Sequence, residues 1–269
     1  MGEPVGIQPH ARTFCLAVGV ALALAFGAAS PAAAQGKSED KFTFEVTPYL
    51  WAAGINGDAA IGTIAGGGID VDVDASFSDI FQMLDMAFMG MIEGRYGRWG
   101  LLLDAVYMQL HDTETTADDR GSAKFKLQQQ LYSLAPMYRV LDEDVFIDAF
   151  AGVRFLYLKS ELTIPEGRHP LLAQGRHVEA SESWWGGFVG ARVAWPLPFY
   201  KPVSLVGYLD VGAMDGNFMW QGIAGANWQI SQTFSAKLGY RYLSYDVGSG
   251  PADFNLDTSG FYAGVGIKF

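Results

Sequence analysis

Histidine, serine and carboxylate side chains are where chemistry would begin, and this 269-residue chain has only four histidines. His111-Asp112, followed by Asp118-Asp119 and Ser122, supplies the types a nucleophilic hydrolase needs. Those are a hydroxyl, an imidazole to take its proton, and a carboxylate to orient the imidazole. Their order in the chain fixes no geometry, and polar connections collect such residues routinely. His169 and His177 share a stretch with Glu166 and Glu179, at a spacing that matches no zinc pattern. Asp70, Asp72 and Asp74 alternate, but without the ligand order of an EF-hand loop. Asp112, Glu114, Asp118 and Asp119 make an acidic stretch across which a divalent ion could offset mutual repulsion. None of these sets specifies a catalytic residue, a cofactor or a metal, so none is assigned.

A second set of charges is placed more tellingly. Glu93, Arg95, Asp104, Asp148, Arg154, Arg192, Asp210, Lys237, Arg241 and Lys268 sit inside runs of apolar, aromatic and β-branched residues. In 145–157, Val145, Ile147, Ala149, Ala151, Val153, Phe155 and Tyr157 fall on one face of a strand. Phe146, Asp148, Phe150, Gly152, Arg154 and Leu156 fall on the other. The segments 184–195 and 232–242 repeat this, with Arg192, Lys237 and Arg241 opposite apolar faces. An Arg or Lys on a lipid-facing surface at mid-membrane costs about 2–4 kcal/mol. The charges are therefore expected to point inward, with Arg154, Arg192 and Arg241 opposing Glu93, Asp104, Asp148 and Asp210 across a blocked or very narrow lumen. Gly152, Gly190, Gly239, Gly264 and Gly266 on the same faces would make room for them.

The elements that must carry these residues are strands. Ten alternating segments can be drawn, near 42–52, 86–97, 99–110, 124–139, 145–158, 184–195, 202–213, 218–230, 232–245 and 260–269. Joining the first to the last leaves no open edge. The fold class is all-β, an antiparallel transmembrane β-barrel of about ten strands, with eight or twelve also compatible. Connections after the even-numbered segments are all short. Longer ones fall near 53–85, 111–123, 159–183 and 246–259, an asymmetry that assigns both chain ends to the periplasm and the longer loops to the outer side. In the first long connection Ser76 and Asp79 suit a helix start, and Phe77, Ile80, Phe81 and Leu84 form one stripe. A short helix is expected there, either covering the barrel mouth or packed against its rim. Tyr49, Trp51, Tyr96, Trp99, Tyr138, Tyr157, Trp184, Trp185, Trp195, Tyr200, Trp220, Trp228 and Phe269 lie near segment ends, as girdles of interfacial rings would.

Residues 1–34 have the pattern of a cleaved signal peptide. Arg12 precedes an apolar run over 14–26, and Ala32, Ala33 and Ala34 precede Gln35. Residues 35–41 then form a short periplasmic leader, and 42–269 the barrel. Cys15 is lost with the signal, so disulfides and thiolate chemistry go with it. The formal charge of -11 is unchanged by the loss of Glu3 and Arg12, and so acidic a product without a basic patch argues against nucleic acid as a partner.

In Phe261, Ala263, Val265, Ile267 and Phe269 a strict alternation ends on an aromatic residue. With the signal segment, this resembles the bacterial outer-membrane β-barrel superfamily over essentially 42–269. The stretches Phe44-Glu-Val-Thr-Pro-Tyr-Leu-Trp51, Phe77-Ser-Asp-Ile-Phe81 and Gly94-Arg-Tyr-Gly-Arg-Trp-Gly100 share that style. The resemblance implies an outer-membrane location and contact with outer-membrane lipids and lipopolysaccharide. It also implies a last strand read by the barrel-assembly machinery. It carries no enzyme motif. The expected function is a structural barrel with at most limited passage of small hydrophilic solutes. An outer-membrane hydrolase or protease, and a scaffold binding through its loops, are the alternatives.

Overall fold

The computed structural model describes residues 41–62, 68–115, 122–164, 176–249 and 252–269. The expected signal segment lies outside them, as do the leader up to residue 40 and Asp118, Asp119, Glu166 and His169. Side-chain alternation becomes a ladder of long strands: β1 (Phe42–Gly62), β2 (Gly68–Ala75), β3 (Leu84–Tyr96), β4 (Trp99–Thr115), β5 (Ser122–Asp142), β6 (Phe146–Ile164), β7 (Arg176–Leu197), β8 (Tyr200–Met214), β9 (Asn217–Gln229), β10 (Phe234–Ser249) and β11 (Ala252–Lys268). Among the described residues one helix, α1 (Phe77–Met83), lies between β2 and β3.

Neighbours from β3 to β11 pair antiparallel in chain order, and β11 closes on β1. The wall is thus a closed ten-strand barrel, with β2 as one extra strand. Following paired residues once around from Glu45 returns to β1 at Gly57, a stagger of 12 residues. In a ten-strand barrel that stagger inclines the strands by roughly 40°. Every wall strand then has two neighbours over at least part of its length, and the ring is closed apart from the interruption between β1 and β3.

The two rims differ. Phe44 and Phe269 meet at one of them, where the Phe269 N–H donates to the Phe44 carbonyl at 2.8 Å. At this near rim the connections are short: Gly97-Arg98, residues 143–145, 198–199 and 230–233. At the far rim β8 and β9 close tightly through Asp215 and Gly216, both at positive φ (51° and 86°), which suits a two-residue hairpin. Elsewhere the far-rim ladders run on, as in β6–β7, which pair out to Ile164 and Arg176. Strand structure therefore occupies much of 53–85, 111–123, 159–183 and 246–259, the stretches read from the sequence as loops. Once two strands are in register, each further pair satisfies backbone groups that an open loop would leave to water.

The first connection interrupts the wall. β1 pairs with β3 only from Phe42–Tyr96 to Pro48–Gly90, and Pro48 has no N–H to carry the ladder further. From Ile55–Ala75 to Gly62–Gly68 its partner on that side is β2. α1 follows, started by Ser76, whose N–H donates to Asp79 Oδ2 at 3.0 Å while the Asp79 N–H donates back to Ser76 Oγ. This is the capping box the sequence anticipated, with Asp in place of Glu. The apolar stripe fares differently. Ile80 alone is buried, against Ile55, Met108 and Leu110, whereas Phe77 and Phe81 are exposed and lean on each other. Leu84 is the C-cap and already opens β3. A two-turn helix filling a gap in a barrel wall has room to turn only one stripe residue inward.

Outward faces are apolar over the body of the wall, with Val153, Val189, Val193, Leu205, Leu209, Leu238 and Val265 exposed. Aromatic pairs gather above and below. Trp99 and Tyr138 (4.9 Å between ring centres) and Phe44 and Phe269 (6.1 Å) lie at the near rim. Phe155–Trp185 and Trp220–Tyr242 lie further up. Three rings expected in these girdles belong elsewhere: Tyr49, Trp51 and Trp184 are buried in the interior. Proximity to a segment end does not set direction. Parity along the strand does.

Candidate functional site

The barrel interior is stacked in layers, and the register of the strands fixes their order. Nearest the near rim, Glu93 on β3 and Asp148 on β6 are gripped by three guanidinium groups. Arg192 on β7 holds Glu93 through two parallel bonds (2.7 and 2.8 Å) and reaches Asp148 Oδ2 at 2.8 Å. Arg95 donates to Asp148 at 3.0 Å and to Glu93 at 3.2 Å. Arg139 donates to Asp148 Oδ1 at 2.9 Å and stands over the Phe146 ring. Bidentate guanidinium–carboxylate bonds are among the stronger polar contacts a protein makes, and here they tie β3, β5, β6 and β7 across the lumen. In the adjoining corner Glu45 on β1 faces two ammonium groups, Lys237 on β10 and Lys268 on β11. Lys268 also donates to the Gln229 side chain.

A second polar layer lies deeper. Arg154 and Asp210, nearly without solvent exposure, form a bidentate pair (2.7 and 3.1 Å), with the Arg154 Nε–H donating to Ser133 Oγ and the Tyr208 hydroxyl donating to Asp210. Beside it Arg241 meets Asp104 at 2.9 Å and donates to the Gln221 carbonyl oxygen and to Tyr49 Oη, whose own hydroxyl proton goes to Asp104 at 2.6 Å. Arg154 lies over Phe188 and Arg241 over Trp51, each 4.6 Å from the ring centre. Rings and charges fit the narrow bore because glycines sit beside them. A Cβ on Gly152 would come within 2.7 Å of the Phe188 ring, and one on Gly190 within 2.5 Å of the Phe150 ring.

Above the second layer none of the buried described residues is charged. Leu131, Leu156, Met214, Met219, Leu243, Tyr245 and Val247 fill the bore with almost no exposed surface, together with Trp184. Ile55, Met108 and Leu110 with Ile80 of α1 continue the packing toward the far rim. Below it a cavity of about 530 Å³ extends from Tyr49, Asp104, Gln221 and Arg241 down to Thr43, Pro202 and Lys268 at the near rim. The interior is therefore a cup: one end filled by apolar side chains, the other lined by polar and charged ones.

All ten charges singled out in the sequence take part in ion pairs within this interior. Sequence reasoning did not reach Glu45 or Arg139, nor the hydroxyls of Tyr49 and Tyr208. Glu45 alternates with Thr43 and Thr47 in the first strand, so its direction was readable there. Arg139 stands next to a register shift between Arg139 and Leu141, which no sequence pattern marks.

Within the described strands, the backbone register does not bring the hydrolase-like His111 and Ser122 together. His111 is exposed on β4 and pairs in register with Lys126, while Ser122 pairs with Thr115, four residues further along the strand. His177 pairs with Thr163, and Glu179 beside it bonds Lys159 at 3.0 Å. Among the described residues no three His, Cys, Asp or Glu side chains converge as a metal site.

No family model matches this chain, and no curated protein matches it. Solved structures do, at low identity. Ail, the attachment invasion locus protein of Yersinia pestis, solved with the heparin analogue sucrose octasulfate, is 11% identical. It matches over 86% of this chain and 100% of its own, with a TM-score of 0.37. The translocator domain of the autotransporter NalP from Neisseria meningitidis is 11% identical over 96% of each chain, with a TM-score of 0.35. The Pseudomonas putida toluene transporter TodX is 9% identical over 86% of this chain and 90% of its own, with a TM-score of 0.31. All three are bacterial outer-membrane β-barrels.

Proposed function

We propose that this protein is a structural outer-membrane barrel whose lumen does not conduct, with the near rim in the periplasm. The observation that carries this reading is the contrast between wall and bore. The outward face is an apolar band between aromatic pairs, the surface that hydrocarbon and headgroups favour. The bore is crossed by paired charges and then filled by apolar side chains, so hydrated ions meet a dry obstruction. The short near-rim connections support the orientation, since transmembrane barrels keep short turns on the periplasmic side. Outer-membrane lipids and lipopolysaccharide are then its surroundings.

Refolded into vesicles, unheated protein is expected to migrate differently from boiled protein on an SDS gel, and planar-bilayer recordings to show no steady current. A small regular current would return the function to limited solute passage. A detergent-independent soluble fold would reject the membrane reading.

Phe269, 76% exposed beside Phe44, is the outward end of the last strand, whereas Lys268 bonds inward to Glu45 and Gln229. As the residue read by the assembly machinery, its change Phe269→Asp is expected to lower the fraction of protein inserted in cells well below that of Lys268→Ala. Equal insertion of the two variants would remove the assembly role from the terminal ring.

A further inference from the structure

The cavity at the near rim is not charge-balanced. Its wall carries five cations (Arg139, Arg192, Lys237, Arg241, Lys268) against four carboxylates (Glu45, Glu93, Asp104, Asp148). Arg241 is matched by Asp104, and the guanidinium cluster is matched by Glu93 and Asp148, with Asp142 joining Arg139 at 3.6 Å. The surplus sits in one corner, where the single carboxylate of Glu45 serves both Lys237 and Lys268. Ser235 is two residues from Lys237 on the same inward face. Its Oγ is buried and has no hydrogen-bond partner among the described residues. A positive charge in excess and an unused hydroxyl, side by side in a confined polar space, form half of a recognition site for an anion.

The adjoining wall adds apolar surface. Ala194, Pro202, Val206 and Ile223, from β7, β8 and β9, line the same cavity among the uncharged polar side chains of Ser204, Asn227 and Gln229. At about 530 Å³ the space is of the size that takes a small organic molecule. Its inner end is stopped by the Arg154–Asp210 layer and the apolar packing above, so a molecule that enters from the near rim leaves by the same way.

We propose that the near-rim cavity binds an organic monocarboxylate with an apolar body. The carboxylate lies between Lys237 and Lys268 and accepts from Ser235 Oγ, and the body lies against Val206 and Ile223. This rests on the closed barrel, and its direction of access rests on the proposed orientation. A monoanion matches the single surplus charge. A neutral molecule leaves that charge unmet, and a cation adds to it.

The test uses the chain refolded in a neutral detergent and checked by its unheated gel mobility. The probe is 2-naphthoate, followed by fluorescence anisotropy, with 2-naphthol and 2-naphthylmethylammonium as uncharged and cationic counterparts. Saturable binding of naphthoate alone is expected. The double change Lys237→Gln with Lys268→Gln should weaken it about tenfold or more, in line with the loss of close charge contacts. Val206→Trp, which narrows the cavity where the apolar body lies and leaves every charge in place, should weaken it as well, and Lys159→Gln at the far rim should leave it unchanged. Equal binding of the three probes, non-saturable uptake, or unaltered affinity in the double variant and in Val206→Trp would overturn the proposal while the mobility shift still upholds the barrel. Loss of the mobility shift in the unaltered protein would overturn both.

Discussion

The two halves of the bore answer the same packing problem in different ways. At the near rim the inward positions carry charges that bond one another around a cavity, with Glu93 and Asp148 shared among three arginines. Toward the far rim the inward positions carry Leu, Met, Val and aromatic residues that touch directly and leave almost nothing exposed. Both halves hang on the same strands with the same alternation. The polar half gains long-range ties between strands and keeps space. The apolar half gains density and gives up access. The Arg154–Asp210 pair sits at the boundary, enclosed like the apolar half and charged like the polar one.

That boundary is where the comparison breaks most easily. Asp210→Ala would leave the Arg154 guanidinium buried and unpaired, a loss expected to destabilise by about 3–5 kcal/mol. Replacing both partners by apolar residues, Arg154→Met with Asp210→Leu, should recover much of it, since the pair must first repay the desolvation of two charges. Urea unfolding in lipid vesicles measures both. A double variant as unstable as Asp210→Ala would mean that the pair itself, and not the unmet charge, holds the layer.

The next effect belongs to the apolar half. Leu156 has no exposed surface and packs among Leu131, Met219 and Trp184, so Leu156→Ala is expected to cost roughly 2–5 kcal/mol, depending on how far the neighbours close the space. If this half seals the bore, the same variant should also raise ion leakage through vesicles. Lost stability without leakage would assign the seal to the charged layers.

The smallest effect lies at the far rim. Lys159 bonds Glu161 at 2.8 Å and Glu179 at 3.0 Å, but Lys159 and Glu161 are partly and Glu179 largely open to water. Glu161→Ala is expected to change stability far less than either change above, and less still at high salt. A loss as large as that of Asp210→Ala would show that position in the barrel, and not burial, governs what these pairs are worth.

Ten alternating runs, a last strand that returns to the first, and a helix in the first connection were legible from the sequence, because a period of two is a local property of the chain and direction in or out follows from it. Residue parity also gave the inward sense of Arg154, Arg192 and Arg241. Aromatic residues near segment ends were misjudged where this parity was not applied, as with Tyr49, Trp51 and Trp184.

Partnership was another matter. That Arg192 reaches Glu93 on a strand far away in the chain, or that Glu45 is shared by Lys237 and Lys268, depends on the stagger and tilt of the closed wall. So does the end of the β1–β3 ladder at Pro48 and the place of α1 beside it. The sequence determined which side chains face the bore. Only closure of the barrel decided which of them share a level, and hence that one half is a charged cup and the other a dry stopper, because height in a sheared barrel is set by all ten strands together.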